Sequence, residues 1–90
     1  MGSVAVTLKV MPTSPSVDMV KLKSAVEKKL VSLGARIGST KEEPIAFGLK
    51  VLIVIFLWPE NQDPDPIETD LAKIENVNSA QISDVRRTLG

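Results

Sequence analysis

Three features of this 90-residue chain predict an α+β fold, a two-layer sandwich in the order βαββαβ with two helices on one face of a four-stranded antiparallel sheet. Val51 to Trp58 carries no charge, glycine or proline and is rich in β-branched and aromatic side chains, the composition of a strand in mid-sheet. On each side of it lies a stretch with apolar residues at three- and four-residue steps, the period of a helix with one buried stripe. The outermost segments, near each terminus, alternate apolar and polar residues as half-buried strands do.

Taken in order, Val4, Val6, Leu8 and Val10 alternate with Ala5, Thr7, Lys9 and Met11 as a first strand. Pro12 and Pro15 with the intervening serines cannot continue a ladder, so MPTSPSVD reads as a connection. Asp18 caps the helix that follows, where Met19, Leu22, Val26, Leu30 and Leu33 form one face and the lysines a wet one. Gly34 supplies the positive φ that ends it. Ala35 to Glu43 is a second strand, made irregular by Gly38, Ser39 and Thr40. Pro44 and Gly48 bracket Ile45, Ala46 and Phe47 in a bend before the central strand.

After Trp58, three prolines among acidic and amide residues form a loop that leads into a second helix. Asp65 as N-cap, Pro66 at the first helical position and Glu68 three residues after Asp65 have the pattern of a capping box. Ile67, Leu71 and Ile74 line its buried face, and Asn76 and Asn78 suit the exit turn. Ala80 and Ile82 begin the last strand, whose phase breaks at Asp84 and Val85, the place for a bulge or the strand end. Arg86, Arg87, Thr88, Leu89 and Gly90 form a tail. With right-handed crossovers this order is a ferredoxin-like topology, with strands one and three in the centre of the sheet. The whole chain, residues 1–90, reads as one domain with one core.

The inventory excludes much chemistry. Eleven basic and eleven acidic side chains cancel, so net charge draws the chain toward neither nucleic acid nor anionic lipid. Without cysteine or histidine there is no disulfide, no thiolate nucleophile, no ordinary zinc site and no usual general base near neutral pH. No metal or cofactor site follows from the sequence. The apolar run of eight residues is far short of the roughly 18–20 that span a bilayer. Lys9 interrupts the first apolar stretch, so no secretory signal pattern is present, and a cytoplasmic location is expected.

Asp63 and Asp65 have the opening spacing of an EF-hand, but Glu68 and Ile74 stand where its glycine and closing glutamate belong. Glu42 and Glu43, adjacent in a strand, point to opposite faces and form no acid and base pair. An RNA-binding sheet of this topology stacks bases on aromatics of strands one and three, and strand one has none.

Protein recognition remains. Its signals are the apolar bend with Phe47 at its tip, a strand apolar on both faces, and paired arginines near the C-terminus. Phe47 is either a core aromatic or, projecting between Pro44 and Gly48, an anchor for a partner's pocket. The sheet face away from the helices either pairs two copies of the chain weakly or is shielded by side chains of strands one and four.

The segments LKVMPTSPSVDMVKLK, EEPIAFGLK and ISDVRR, in this order over nearly the whole chain, resemble the archaeal elongation factor 1-beta family, with EEPIAFGL the most specific. The resemblance implies a ferredoxin-like exchange factor that promotes GDP release from the GTPase elongation factor 1-alpha, without covalent chemistry. It also implies partner contacts at Pro44, Ile45, Phe47, Gly48 and Lys50 around the bend, and at Arg86 or Arg87, where eukaryotic relatives have a lysine reaching toward the magnesium site. Arg87 lies nearer that basic position. The proline-rich acidic loop departs from the glycine-rich turn of the family. The alternatives are a ferredoxin-like small-molecule sensor, or an assembly module acting through its sheet.

Overall fold

The architecture follows from where apolar side chains can be buried. In the computed structural model, which describes residues 2–87, the elements are β1 (Ser3–Pro12), α1 (Met19–Ser32), β2 (Arg36–Pro44), β3 (Lys50–Pro59), α2 (Asp65–Ala72) and β4 (Val77–Arg87). The strands form one antiparallel sheet in the order β2-β3-β1-β4, which puts the two most apolar strands in the centre as expected. Val6, Leu8 and Val10 of β1 and Leu52, Val54, Phe56 and Trp58 of β3 form one core with Leu22, Val26 and Leu30 of α1 and Ile67 and Leu71 of α2. Both helices therefore cover the same sheet face.

The start of α1 is as its sequence specifies: the Asp18 carboxylate accepts from the backbone N–H groups of Val20 at 3.0 Å and Lys21 at 3.4 Å. Gly34 at φ +104° ends the turn after it. β2 is irregular where expected, with a register shift between Ile37 and Ser39. The intervening Gly38 is needed there, because a Cβ would lie 3.0 Å from the Ile55 carbonyl oxygen.

Four expectations about the bounds and caps of the elements are corrected. β1 runs through Pro12, which sits opposite Val77 just past a register shift, a place where a strand tolerates a residue without an N–H. Asn78 belongs to β4, and Asn76 alone, at φ 72°, makes the turn. The capping box at α2 does not form: Pro64 is the N-cap, and Asp63 Oδ1 accepts from the Asp65 N–H at 2.9 Å. Glu68 instead turns to the sheet, its Oε2 accepting from the Ile82 N–H of β4 at 2.7 Å. An acceptor from α2 thereby closes an otherwise open donor on an edge strand.

The fourth correction is the tail. β4 continues to Arg87, with Arg86 opposite Ala5 and Arg87 opposite Val4. The phase break is a bulge: Thr7 faces Asp84 and Leu8 faces Ile82, so Ser83 is the extra residue, its hydroxyl donating to the Thr7 carbonyl at 3.3 Å. Thr88, Leu89 and Gly90 lie outside the described residues.

On the face away from the helices, β3 presents Val51, Ile53, Ile55 and Leu57. Val51 and Ile53 are nonetheless only 7% and 5% exposed. Ile53 is flanked by Lys9 of β1 and Lys41 of β2, whose alkyl stems can lie over it while the ammonium groups stay in water. The shielding strands are thus β1 and β2, the actual neighbours of β3, rather than β1 and β4.

Val26→Ala opens a void at a fully buried position and is expected to lower unfolding free energy by about 1–4 kcal/mol. Glu68→Ala leaves the Ile82 N–H without its acceptor and should lower it by about 1–3 kcal/mol, while Glu68→Gln, which keeps a carbonyl acceptor, should recover most of that loss. Urea titrations followed by Trp58 fluorescence measure both, and equal losses for Ala and Gln would show that the hydrogen bond is not what Glu68 contributes.

Candidate functional site

The β2–β3 hairpin narrows to a turn in which the Leu49 N–H donates to the Ala46 carbonyl at 3.2 Å and the Ile45 N–H to the Leu49 carbonyl at 2.8 Å. Its central residues, Phe47 at φ 60° and Gly48 at φ 77°, are both left-handed, as the twist of a tight hairpin favours. Gly48 takes that conformation freely. Phe47 does not, because a Cβ at positive φ crowds its own carbonyl, which costs roughly 1–2 kcal/mol. The same side chain is 92% exposed. The core alternative for Phe47 is thereby excluded. A large apolar ring stands in water on a strained residue, two unfavourable choices with no return inside the molecule.

The hairpin end gathers most of the sequence-predicted residues. Pro44 pairs with Lys50 at the base of the turn, Ile45 is 45% exposed beside Phe47, and Gly48 and Lys50 are exposed. Gly48 also faces the β1–α1 connection, since a Cβ there would lie 3.7 Å from Pro15. Between the two segments lies an open groove of about 280 Å³ lined by Pro12, Pro15, Val17, Val20 and Lys50 among others. Sequence reasoning missed Val20, which is exposed on the first turn of α1. Its signal was legible, because it is an apolar residue out of phase with the Leu22, Val26 and Leu30 stripe.

Arg86 and Arg87 are elsewhere. Arg87 is level with Val4 and Trp58 and the bend is level with Lys50. The eight residue steps from Lys50 to Trp58 in β3, at about 3.3 Å each, separate the two regions by roughly 26 Å. The bend and the arginines therefore lie at opposite ends of the sheet along the strand direction. Past the bulge, Arg87 shares the helix face with Val4 and Trp58, while Arg86 shares the opposite face with Ala5 and Leu57. Arg86 Nε pairs with Asp84 Oδ2 at 2.7 Å, and Arg87 Nε stands 3.6 Å from Glu60 Oε2. Asp84, two residues before Arg86, shares its strand face, a spacing legible locally, whereas Glu60 comes to Arg87 only once the sheet register is known. Among the described residues no cluster of acidic side chains could hold a metal ion, and no helix is long and apolar enough to cross a membrane.

Residues 5–88 match the family model of the EF-1 guanine nucleotide exchange domain. The chain is 43% identical over 89 residues to a protein of Methanosphaerula palustris named elongation factor 1-beta, covering 98% of this chain and 100% of that one. A protein of the same name from Methanobrevibacter smithii is 40% identical over 90 residues, covering 99% of this chain and 100% of the relative. In architecture the chain is similar to the C-terminal domain of the MgtC protein from Mycobacterium tuberculosis, with a TM-score of 0.62 at 10% identity over 91% of this chain and 85% of that one. At that identity the likeness concerns the fold alone.

Replacing Phe47 by a residue that tolerates positive φ relieves the strain at the tip. Phe47→Asn, whose short amide side chain can bond the local backbone in the left-handed conformation, is expected to raise unfolding free energy by about 0.5–1 kcal/mol, and Phe47→Ala, which has no such bond, by less. A loss of stability with Asn in urea or thermal unfolding would show that the ring is held by contacts within the fold.

Proposed function

This chain belongs to the elongation factor 1 guanine nucleotide exchange family, and we propose that it acts on elongation factor 1-alpha through contacts at both ends of its sheet. As a member of that family it is a translation elongation factor that promotes guanine nucleotide exchange. The strained, exposed Phe47 is the observation that carries the proposal for the site. A stable position for that ring is a pocket on a partner, where burial recovers the solvation loss and anchors the complex. Pro44, Ile45, Gly48 and Lys50 frame it, and the turn holds it at the tip.

The other contact is Arg87, a permanent cation on the last paired residues of β4. Its fork of donors suits the carboxylates and phosphates around the partner's magnesium site. Release of GDP is accelerated only if the factor binds the nucleotide-free GTPase more tightly than the GDP-bound one. A guanidinium competing with magnesium for the same acidic groups supplies such a difference, since it gains most when the nucleotide and its ion have left. No bond in the protein is made or broken, so the role is non-enzymatic. The single unit of residues 1–90 performs it in the cytoplasm, where the elongation cycle runs, and needs neither a cofactor nor contact with nucleic acid. Pairing of two copies through the open sheet face is not required, and the shielding of Val51 and Ile53 leaves little apolar area there to drive it.

Release of labelled GDP from the cognate elongation factor 1-alpha tests this reading. Phe47→Ala should lower exchange efficiency by about 30-fold, the effect of losing a central anchor, with the fold retained. Arg87→Ala should slow release and Arg86→Ala should not, because the two point to opposite faces. Raising magnesium should slow exchange by the unaltered protein, and insensitivity to magnesium would remove the competition from the mechanism.

A further inference from the structure

At the end of the sheet far from the bend, Arg87 and Glu60 meet although their strands are not neighbours, since β1 lies between β3 and β4. The gap is crossed at Gly2, the residue just before β1. The Glu60 N–H donates to the Gly2 carbonyl at 3.4 Å, and a Cβ at Gly2 would stand 2.9 Å from the Glu60 carboxyl carbon. Any side chain there would push the carboxylate aside. Glu60 is itself placed by a short turn: the Gln62 N–H donates to the Pro59 carbonyl at 3.1 Å, and the Trp58 indole N–H donates to the Gln62 carbonyl at 3.1 Å. The turn that the buried Trp58 secures thus sets a carboxylate beside the guanidinium, over bare backbone.

We propose that Glu60 is a positioning residue for Arg87. In the free protein its carboxylate restrains the guanidinium across Gly2, standing in for the acidic group that Arg87 meets on the partner, and binding exchanges one for the other. This rests on the reading of Arg87 as a partner contact. The Arg87 side chain is 81% exposed and that of Glu60 38%, and the pair is longer than a hydrogen bond, so the restraint is weak and reversible. Apparent affinity is reduced by the fraction of molecules in which Arg87 is free. The Glu60 charge also cancels part of the field that Arg87 directs at an acidic target.

Glu60→Gln should therefore lower the factor concentration that gives half-maximal GDP release by about two- to fivefold at low salt, with the gain disappearing as salt rises. Gly2→Ala, which displaces the carboxylate without removing it, should act in the same direction. In the free protein, nitrogen relaxation of the Arg87 Nε–Hε group should report greater mobility in Glu60→Gln. The gain should be absent in an Arg87→Ala background. If Arg87→Ala slows exchange but Glu60→Gln leaves the half-maximal concentration unchanged, the role of Glu60 is overturned and the reading of Arg87 stands. An equal gain in the Arg87→Ala background also overturns it, because Glu60 would then act by general charge. If Arg87→Ala has no effect on exchange, the reading of Arg87 falls and this inference falls with it.

Discussion

The structure depends on burying a strand that is apolar on both faces. β3 directs Leu52, Val54, Phe56 and Trp58 at the helices and Val51, Ile53, Ile55 and Leu57 the other way, and two helices can cover only one side. The second side is closed in part by position within the sheet, over Val51 and Ile53, while Ile55 stays 37% exposed. β3 lies between β1 and β2, so Ile53, Ile55 and Leu57 each have a paired neighbour on both sides, and for Ile53 these are Lys9 and Lys41. Charged heads over apolar stems keep a two-helix sandwich from presenting a fully open hydrophobic sheet. That arrangement also fixes β1 as the other central strand and leaves β2 and β4 as edges.

The two edges have different duties. β2 carries Lys41, Glu42 and Glu43 and leads into the hairpin tip, charges that discourage pairing with another strand. Its apolar content is concentrated beyond the ladder, at Ile45 and Phe47, where it is available to a partner. β4 is closed at Ile82 by Glu68 of α2, then bulges at Ser83 and continues. Anchoring on one side of the bulge lets the last residues remain in the ladder without a helix over them. The arginines are consequently held on a strand with known faces.

Strain and rigidity meet at the hairpin tip. A two-residue turn with left-handed φ at both positions fixes where the ring of Phe47 can go more narrowly than a longer loop would. A ring held in advance loses less freedom on docking, which offsets part of the strain stored at its φ. At the other end Arg87 is long and exposed, and the carboxylate nearest it is set by the turn of Pro59 to Gln62. In the proposed complex, one contact is built into the backbone and the other is guided by charge.

The sequence by itself determined the element order, the central position of β1 and β3, the Asp18 cap and the irregularity of β2. Each is a matter of local period, of a side chain bonding its own backbone, or of a residue whose φ or missing Cβ is decisive. It also marked Phe47, because proline and glycine on either side of an aromatic announce a bend. What it could not determine is any contact that joins residues distant in the chain. Glu68 has the spacing of a capping box, yet the Ile82 N–H of a strand 14 residues away is the donor it meets. Only the tertiary structure decided which arginine faces which way: simple alternation from Ala80 and Ile82 would place Arg86 on the helix face, and the single extra residue Ser83 reverses that. A bulge is a property of two strands in register, so the phase of β4 beyond it exists only once β1 is beside it.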